Sequence, residues 1–235
     1  KQDRETHIKF PSPISQTPVD TFFKEEEETI KELAQKFSTY QNRATPITEE
    51  TIKNWLIQFD NPSWMKLALR LLEKVDYYTP RRMQEMFRHF YERIIPEEDK
   101  HKVVVSLLGD LKDSTAIVNY TLGEVIMRYG LESQPLETIL NNMEPKEKVI
   151  VFVDDNIGSG KQAVQIFRDW LGIEEQVLKE SHVKPLSKTH CEKFKQFKII
   201  LSTFVGFEEG KEKVREELNK LKLKVDMVYS LREKK

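Results

Sequence analysis

The sequence is poor in cysteine and in long apolar runs. Cys191 is the only cysteine among 235 residues, which excludes an intramolecular disulfide framework and fits a reducing cytoplasm. No apolar run approaches the roughly 20 residues that a membrane-spanning helix needs, and no secretory signal pattern is visible. We therefore expect a cytoplasmic protein without membrane contacts.

The sequence also lacks a strong net charge. It carries 38 Lys and Arg against 39 Asp and Glu, so its formal net charge is -1. Nucleic-acid-binding domains usually carry a basic excess, so the composition gives no strong signal for a nucleic-acid partner. Hydrophobic residues make up 38% and charged residues 33%, which is typical of a globular protein with a sizeable core.

Helical periodicity dominates the first hundred residues. Residues 1–20 contain three prolines among polar residues and are expected to form a flexible tail. Over residues 21–100 apolar side chains recur at helical spacing, and Asn-Pro and Thr-Pro pairs mark helix starts. For the helix that follows Asn61, the predicted core-facing stripe consists of Trp64, Leu67, Ala68, Leu71, Leu72 and Val75.

The second half of the chain alternates between strand and helix patterns. Apolar, β-branched runs predict strands at 103–107, 149–153, 198–204 and 224–229. Amphipathic segments lie between them, and this alternation predicts a parallel sheet covered by helices. We expect an α/β domain over residues 101–235, preceded by the all-helical region. Ligands of such sheets bind at the carboxyl ends of the strands.

One predicted carboxyl end carries the segment VIVFVDDNIGSGKQ, residues 149–162. It is not a P-loop, because that motif requires G-x-x-x-x-G-K-[ST]. Here Asp155 stands five residues before Gly160, where the motif needs glycine, and Gln162 follows Lys161, where it needs a hydroxyl. Another kind of site must explain the segment.

The glycine turn of this segment favours an anion. Gly158 and Gly160 allow backbone amides to turn toward a ligand, and the following helix presents its N-terminus. Ser159 adds a hydroxyl donor. Lys161 lies in the first helical turn, where the helix dipole disfavours a cation, and a bound phosphate would remove that conflict.

The two carboxylates require a different part of the ligand. Asp154 and Asp155 would repel phosphate, but they suit the vicinal hydroxyls of a ribose or a ribose-bound Mg²⁺. A ligand with a ribose on one side and a phosphate on the other satisfies the whole segment. The alternative is a strand end, an acidic turn and a helix cap without any ligand.

This layout resembles the type I phosphoribosyltransferases. That family has a hydrophobic strand, two acids, two variable residues and Thr-Gly-x-Thr, here replaced by Ser159, Gly160 and Gln162. The resemblance implies that the loop binds the 5-phosphate of phosphoribosyl pyrophosphate (PRPP). It also implies catalytic acids that contact the ribose and, through it, Mg²⁺. The implied site comprises Asp154 and Asp155 as the acids and, as ligand-binding residues, Asn156, Ile157, Gly158, Ser159, Gly160, Lys161 and Gln162.

A second segment is similar to the family's pyrophosphate loop. After the first predicted strand the chain has LLGDLKDSTA, where the family often has Leu-Lys-Gly-Gly or Leu-Lys-Gly-Ser. The resemblance implies that Lys112, Asp113 and Ser114 bind the pyrophosphate, with amides of the next helix start. Asp113 brings a negative charge where glycine is usual, a charge that Mg²⁺ would offset. The alternative for Lys112 is a solvated loop lysine.

More narrowly, the chain resembles the phosphoribosyltransferase-like domains of bacterial conflict (anti-phage) systems. NWLIQF, LGDLKDS and FVDDNIGSGKQ carry this resemblance in that order, and it covers residues 51–231. It implies a role in bacterial defence and partner proteins of a defence operon. The chain departs from the family at Gln162, which removes a phosphate-binding hydroxyl. It also departs at residues 131–148, where the family has a strand and a mobile catalytic loop and this sequence predicts a short helix and a turn.

Three functions stay open at this point. The first is an enzyme that transfers or cleaves at the anomeric carbon of PRPP or a ribose-phosphate nucleotide. The second is a nucleotide- or PRPP-sensing module that signals to a partner protein without turnover. The third is a pure interaction module, which the convergence of the two loops disfavours. His190 and Cys191 have no second pair at zinc-ligand spacing, so we expect them to be structural.

Overall fold

The computed structural model of the protein describes residues 16–38, 46–59, 61–109, 115–173 and 183–234. Most of the predicted N-terminal tail therefore lies outside the described residues. Across the described part of the chain, no helix combines the length and the apolar character that crossing a membrane would require.

Internal contacts divide the chain into two compact units, Lys1–Thr79 and Pro80–Lys235. The sequence suggested a domain boundary between residues 100 and 101 instead. The segment 80–100 lies with the second unit because its side chains pack against the sheet. Phe90 stacks on Tyr229 of the last strand, with ring centroids 5.5 Å apart.

Four helices form the described part of the first unit: α1 (Gln16–Glu25), α2 (Glu27–Phe37), α3 (Glu49–Leu56) and α4 (Pro62–Lys74). The start of α4 follows the predicted Asn-Pro signal. The Asn61 side chain accepts a hydrogen bond from the Trp64 amide at 3.1 Å, and Pro62 is the first helical residue. Ile30, Leu33 and Leu56 are among the buried side chains of this unit's core.

The predicted core-facing stripe of α4 is largely wrong. Trp64, Leu67 and Leu71 are exposed, whereas Met65 and Leu69 are buried. Apolar residues cover roughly 200° of this helix at 100° per residue, so more than one side of α4 satisfies a core-facing pattern. Packing against α1, α2 and α3 selects the side that carries Met65 and Leu69.

The second unit is built on a five-stranded, all-parallel sheet in the order β2-β1-β3-β4-β5. Its strands are β1 (Val103–Leu107), β2 (Glu132–Ser133), β3 (Val149–Ile157), β4 (Lys198–Phe207) and β5 (Lys224–Lys234). All four predicted strands and their parallel arrangement are confirmed. The two-residue strand β2 was not predicted, because it lies in the segment that the sequence assigned to a short helix and a turn.

Helices cover both faces of this sheet, as the alternating pattern predicted. They are α5 (Pro80–His89), α6 (Glu97–Lys100), α7 (Thr115–Arg128), α8 (Leu136–Asn142), α9 (Lys161–Trp170), α10 (Lys188–Phe194) and α11 (Glu208–Lys220), with a π-helical turn at Phe90–Ile94. Phe152 of β3 packs against Phe167 and Trp170 of α9 at centroid distances of 5.4 and 5.2 Å. This aromatic contact fixes α9 on the sheet and thereby places the turn that precedes it.

Candidate functional site

The two acids of the motif lie inside β3 and not beyond its end. The sequence predicted that this strand ends at Val153, but pairing with β4 continues it to Ile157. Asp154 is in register with Thr203, and Asn156 with Val205. Because β4 itself runs to Phe207, the acidic segment finds backbone partners and stays extended.

The extended backbone separates the two carboxylates. Successive side chains of a strand point to opposite faces of the sheet. Asp154 therefore lies on the same side as Phe152 and is 5% exposed. Asp155 lies on the other side and is half-buried. Asp154 is thus buried within the strand and is not exposed at its end.

Each acid accepts a hydrogen bond from the residue that follows it. Asp154 Oδ1 accepts from the Asp155 amide at 2.9 Å. Asp155 Oδ1 accepts from the amide of Asn156 at 2.8 Å and from its side-chain nitrogen at 3.1 Å. Among the described residues, Asp155 Oδ2 has no hydrogen-bond partner. Asp155 therefore keeps a carboxylate oxygen available for a ligand hydroxyl.

The turn after β3 leads directly into the N-terminus of α9. Gly160 is the N-cap of α9 in the left-handed conformation, with φ of 74°, and no side chain among the described residues caps the helix. The first amides of a helix lack partners within the helix itself. Ser159, Lys161 and Gln162 are exposed around this start. The geometry matches the anion-binding arrangement in which backbone amides and the helix dipole face a negative group.

A glycine of α11, which the sequence did not single out, packs against this turn. Gly210, the third residue of α11, is buried, and a Cβ atom there would lie 1.9 Å from the carbonyl oxygen of Gly158. The signal in the sequence was a glycine inside the amphipathic segment EGKEKVREELNKL, where glycine costs helix stability. A glycine at such a position indicates a close backbone approach.

The candidate pyrophosphate loop lies outside the described residues, and this includes Lys112, Asp113 and Ser114. The structure describes both of its flanks. Leu107 of β1 is in register with Val153 of β3, and the Leu108 amide donates to the Val153 carbonyl at 3.3 Å. The chain therefore leaves β1 directly beside the strand that carries the acids. The position of Lys112 relative to Ser159 stays a prediction.

The fit of Mg²⁺ depends on how many ligands the protein supplies. Within the described ranges, no group of three or more His, Cys, Asp or Glu side chains could hold a metal ion. Mg²⁺ is commonly bound through one or two carboxylates plus substrate oxygens and waters. Asp155, with its available oxygen, fits that indirect mode, in which a bound ligand would supply the other oxygens.

His190 and Cys191 make contacts typical of structural residues. His190 Nε2 lies 3.0 Å from Asn141 Oδ1, and Cys191 Sγ lies 3.6 Å from the Trp170 carbonyl oxygen. Burial raises the pKa of the Cys191 thiol, although Lys195 opposes the shift. A thiol with a raised pKa is less ionised at neutral pH and is a poor nucleophile.

Comparison with known proteins gives one match. A protein-family model described as PRTase-CE matches residues 52–235, which include the acidic strand, the glycine turn and α11. The comparisons with curated proteins and with solved structures gave no match.

Proposed function

The chain belongs to the PRTase-CE family, a phosphoribosyltransferase-like family, and we propose that it binds PRPP, or a nucleotide with a ribose 5-phosphate, together with Mg²⁺. One observation carries the proposal. A strand with two carboxylates leads directly into a glycine turn and the start of α9, which no described side chain caps. Groups for a ribose and for a phosphate thus lie within nine residues of one another on a fixed backbone.

The start of α9 would hold the 5-phosphate. Its backbone amides and the positive end of the helix dipole attract an anion, and Ser159 would add a hydroxyl donor. Lys161 supplies a positive charge at the first helical residue, where the dipole otherwise disfavours it. Gln162 would donate through its side-chain amide in place of the family's hydroxyl.

The acids would divide the ribose contacts between them. Asp155 has the available oxygen and would accept hydrogen bonds from the ribose hydroxyls. Asp154 is buried and holds the Asp155 amide, so we assign it a positioning role. Only Asp155 would contact the ligand, a narrower assignment than the family resemblance implies.

Turnover, if it occurs, would break the bond between the anomeric carbon and the pyrophosphate oxygen. The pyrophosphate would leave with the bonding electrons, and the acceptor would form the new bond at that carbon. The Asp155 carboxylate would stabilise the positive charge that develops on the ribose, so catalysis would rest on positioning and electrostatics. Lys112, Ser114 and the following amides would hold the pyrophosphate, whose charge bound Mg²⁺ would neutralise. Mg²⁺ would also offset the charge of Asp113.

A sensor without turnover is the second candidate. It is favoured by Gln162, because an amide replaces the second phosphate-binding hydroxyl at the exposed start of α9. The backbone cradle would still bind the ligand, and the bound state would be passed to a partner protein, such as one encoded in a bacterial defence operon. Consumption of labelled PRPP with a panel of nucleobases separates the two: turnover supports the transferase, and tight binding without turnover supports the sensor.

The test of ligand binding compares two lysines at helix starts. Lys161 and Lys188 are both exposed first residues of helices, but α10 is capped by the Ser187 hydroxyl, which accepts from the His190 amide at 3.1 Å. We expect PRPP with Mg²⁺ to raise the melting temperature, because a ligand that binds the folded state stabilises it. EDTA should remove most of the shift.

The lysine variants make the expectation specific. Lys161→Ala should weaken binding, and added salt should narrow its difference from wild type, because the lost interaction is electrostatic. Lys188→Ala should bind like the wild type. An absent shift with PRPP and with nucleoside monophosphates would rule out the proposal. Equal losses in the two variants would show that the phosphate does not bind at α9.

A further inference from the structure

The first turn of α11 lies backbone to backbone against the glycine turn. A Cβ atom at Gly210 would be 1.9 Å from the Gly158 carbonyl oxygen and 3.0 Å from its carbonyl carbon. Non-bonded carbon and oxygen atoms do not approach so closely, so no residue with a side chain fits at position 210 without displacing the turn. Glycine destabilises a helix relative to alanine, and this contact explains its presence.

The approach is reciprocal. A Cβ atom at Gly160 would lie 2.6 Å from the Gly210 carbonyl oxygen and 2.7 Å from Val214 Cγ2. In contrast, a Cβ atom at Gly158 would have no atom of the described residues within 4 Å. As far as the described residues go, the turn is therefore in close contact with α11 on one side and open on the other. The open side is where a ligand can approach.

The position of α11 is itself fixed by other contacts. Arg168 of α9 and Glu217 of α11 form an ion pair at 3.0 Å, and both side chains are largely buried. In the first turn, the buried Lys211 pairs with Glu208 at 2.7 Å. The side chains of Val214 and Leu218 are fully buried. These contacts hold the first turn of α11 in place where it packs against the glycine turn.

We propose that Gly210 is a positioning residue, through which α11 sets the place of the turn 158–160 and so directs the amides at the start of α9. Its effect on a ligand rests on the proposed function, but its effect on the turn does not. A methyl group at 210 would displace the Gly158 carbonyl by about 1 Å or more to restore ordinary contact. Functional sites tolerate about 0.5 Å of misplacement, and in catalysis a shift of 1 Å can lower the rate about 100-fold.

The test uses Gly210→Ala in the full chain, with Gly123→Ala as the matched control. Gly123 lies within α7, and a Cβ atom there would meet no atom of the described part of the chain within 4 Å. Two readouts are needed: PRPP affinity with Mg²⁺ by calorimetry, and amide hydrogen exchange of the segment 157–164 without ligand. We expect Gly210→Ala to bind about 10- to 150-fold more weakly, as the loss of a hydrogen bond to a charged group would, and to exchange faster in that segment. Gly123→Ala should change neither.

The two readouts keep the possible failures apart. If wild-type protein does not bind PRPP, the proposed function fails, while hydrogen exchange in Gly210→Ala still tests the positioning role. If exchange of 157–164 is unchanged in a folded Gly210→Ala protein, the positioning role is overturned.

A second variant covers the case in which Gly210→Ala does not fold. Val214→Ala removes both γ-methyl groups of Val214, including Cγ2, which packs close to Gly160. It leaves both glycines in place. It should accelerate exchange in 157–164 but not in β4. Unchanged exchange in that variant would equally overturn the proposal.

Discussion

Because the two acids lie on opposite faces of the sheet, two isosteric substitutions should change different properties, one ligand affinity and the other stability. Asp155→Asn should lower ligand affinity and leave stability unchanged, because Asp155 is half-buried and its Oδ1 contacts can be kept by an amide oxygen. Asp154→Asn should lower stability, because Asp154 is 5% exposed and the substitution introduces an amide nitrogen into a buried place.

The expected magnitudes follow from these environments. Hydrogen bonds to a charged group contribute about 1.5–3 kcal/mol, so the loss of the Asp155 charge should weaken PRPP binding by about 10- to 150-fold. Asn has one acceptor oxygen fewer than Asp, and a buried polar group that loses its hydrogen-bond partner costs about 1–3 kcal/mol. In a domain of 150–250 residues each 1 kcal/mol lowers the melting temperature by about 2–4 °C. Asp154→Asn should therefore melt about 2–12 °C lower than wild type.

Calorimetric titration with PRPP and Mg²⁺, together with thermal unfolding without ligand, measures both quantities. Asp169→Asn is a useful control, because Asp169 lies in the last turn of α9, at the opposite end from the helix start, and accepts from Gln165 at 2.7 Å. Equal loss of affinity in Asp154→Asn and Asp155→Asn, with equal stability, would refute the reasoning. Both acids would then contact the ligand, as the family resemblance implies.

Two further predictions concern stability. Leu69→Ala should lower the free energy of unfolding by about 2–5 kcal/mol, because Leu69 is 1% exposed. Leu71→Ala, at a position 59% exposed, should change it by no more than about 0.5 kcal/mol. If denaturant unfolding gives the reverse order, the side of α4 that faces the core is the one predicted from the sequence. Hydrogen bonds from Lys220 and then Arg168 hold the pKa of Glu217 below 4.5, against the effect of burial. Its stabilising contribution is therefore present above that pH and is lost as the pH falls through the folded-state pKa. The difference in melting temperature between wild type and Glu217→Gln should be seen at pH 7 and should shrink below pH 4.5, and a difference that persists at low pH would contradict the assignment.

Local pattern was sufficient for the main strands of the second unit. The runs at 103–107 and 149–153 are β-branched and continuous, as expected for strands buried on both faces, and all of Val103, Val104 and Val105 are buried. The strand β2 was not predicted, because two residues are too few to show the alternating pattern of a strand. Its existence depends on the register of Glu132 with Val104, which is a non-local contact.

The errors in the candidate site also have non-local causes. Polar residues at 154–156 are typical of a strand end, and only the length of β4 keeps them extended. The core side of α4 could not be chosen from a helix that is apolar over more than half of its circumference. Gly210 is 50 residues from Gly160, and no local rule connects a glycine in one helix with a turn before another.

Backbone geometry and side-chain chemistry contribute differently to the proposed site, and this bears on the choice between transferase and sensor. Under the proposed function, the backbone cradle for the phosphate would depend on Gly160 in the left-handed conformation and on its contact with Gly210. Neither depends on the side chain at 162, so the loss of the family's second hydroxyl leaves the cradle intact. Transfer additionally needs the pyrophosphate to be held and neutralised, which falls to Lys112, Ser114 and Mg²⁺ under the proposed function. Binding is therefore the more robust of the two properties. A variant series at 112 should change turnover far more than it changes affinity for a nucleoside monophosphate, which carries the 5-phosphate but no pyrophosphate.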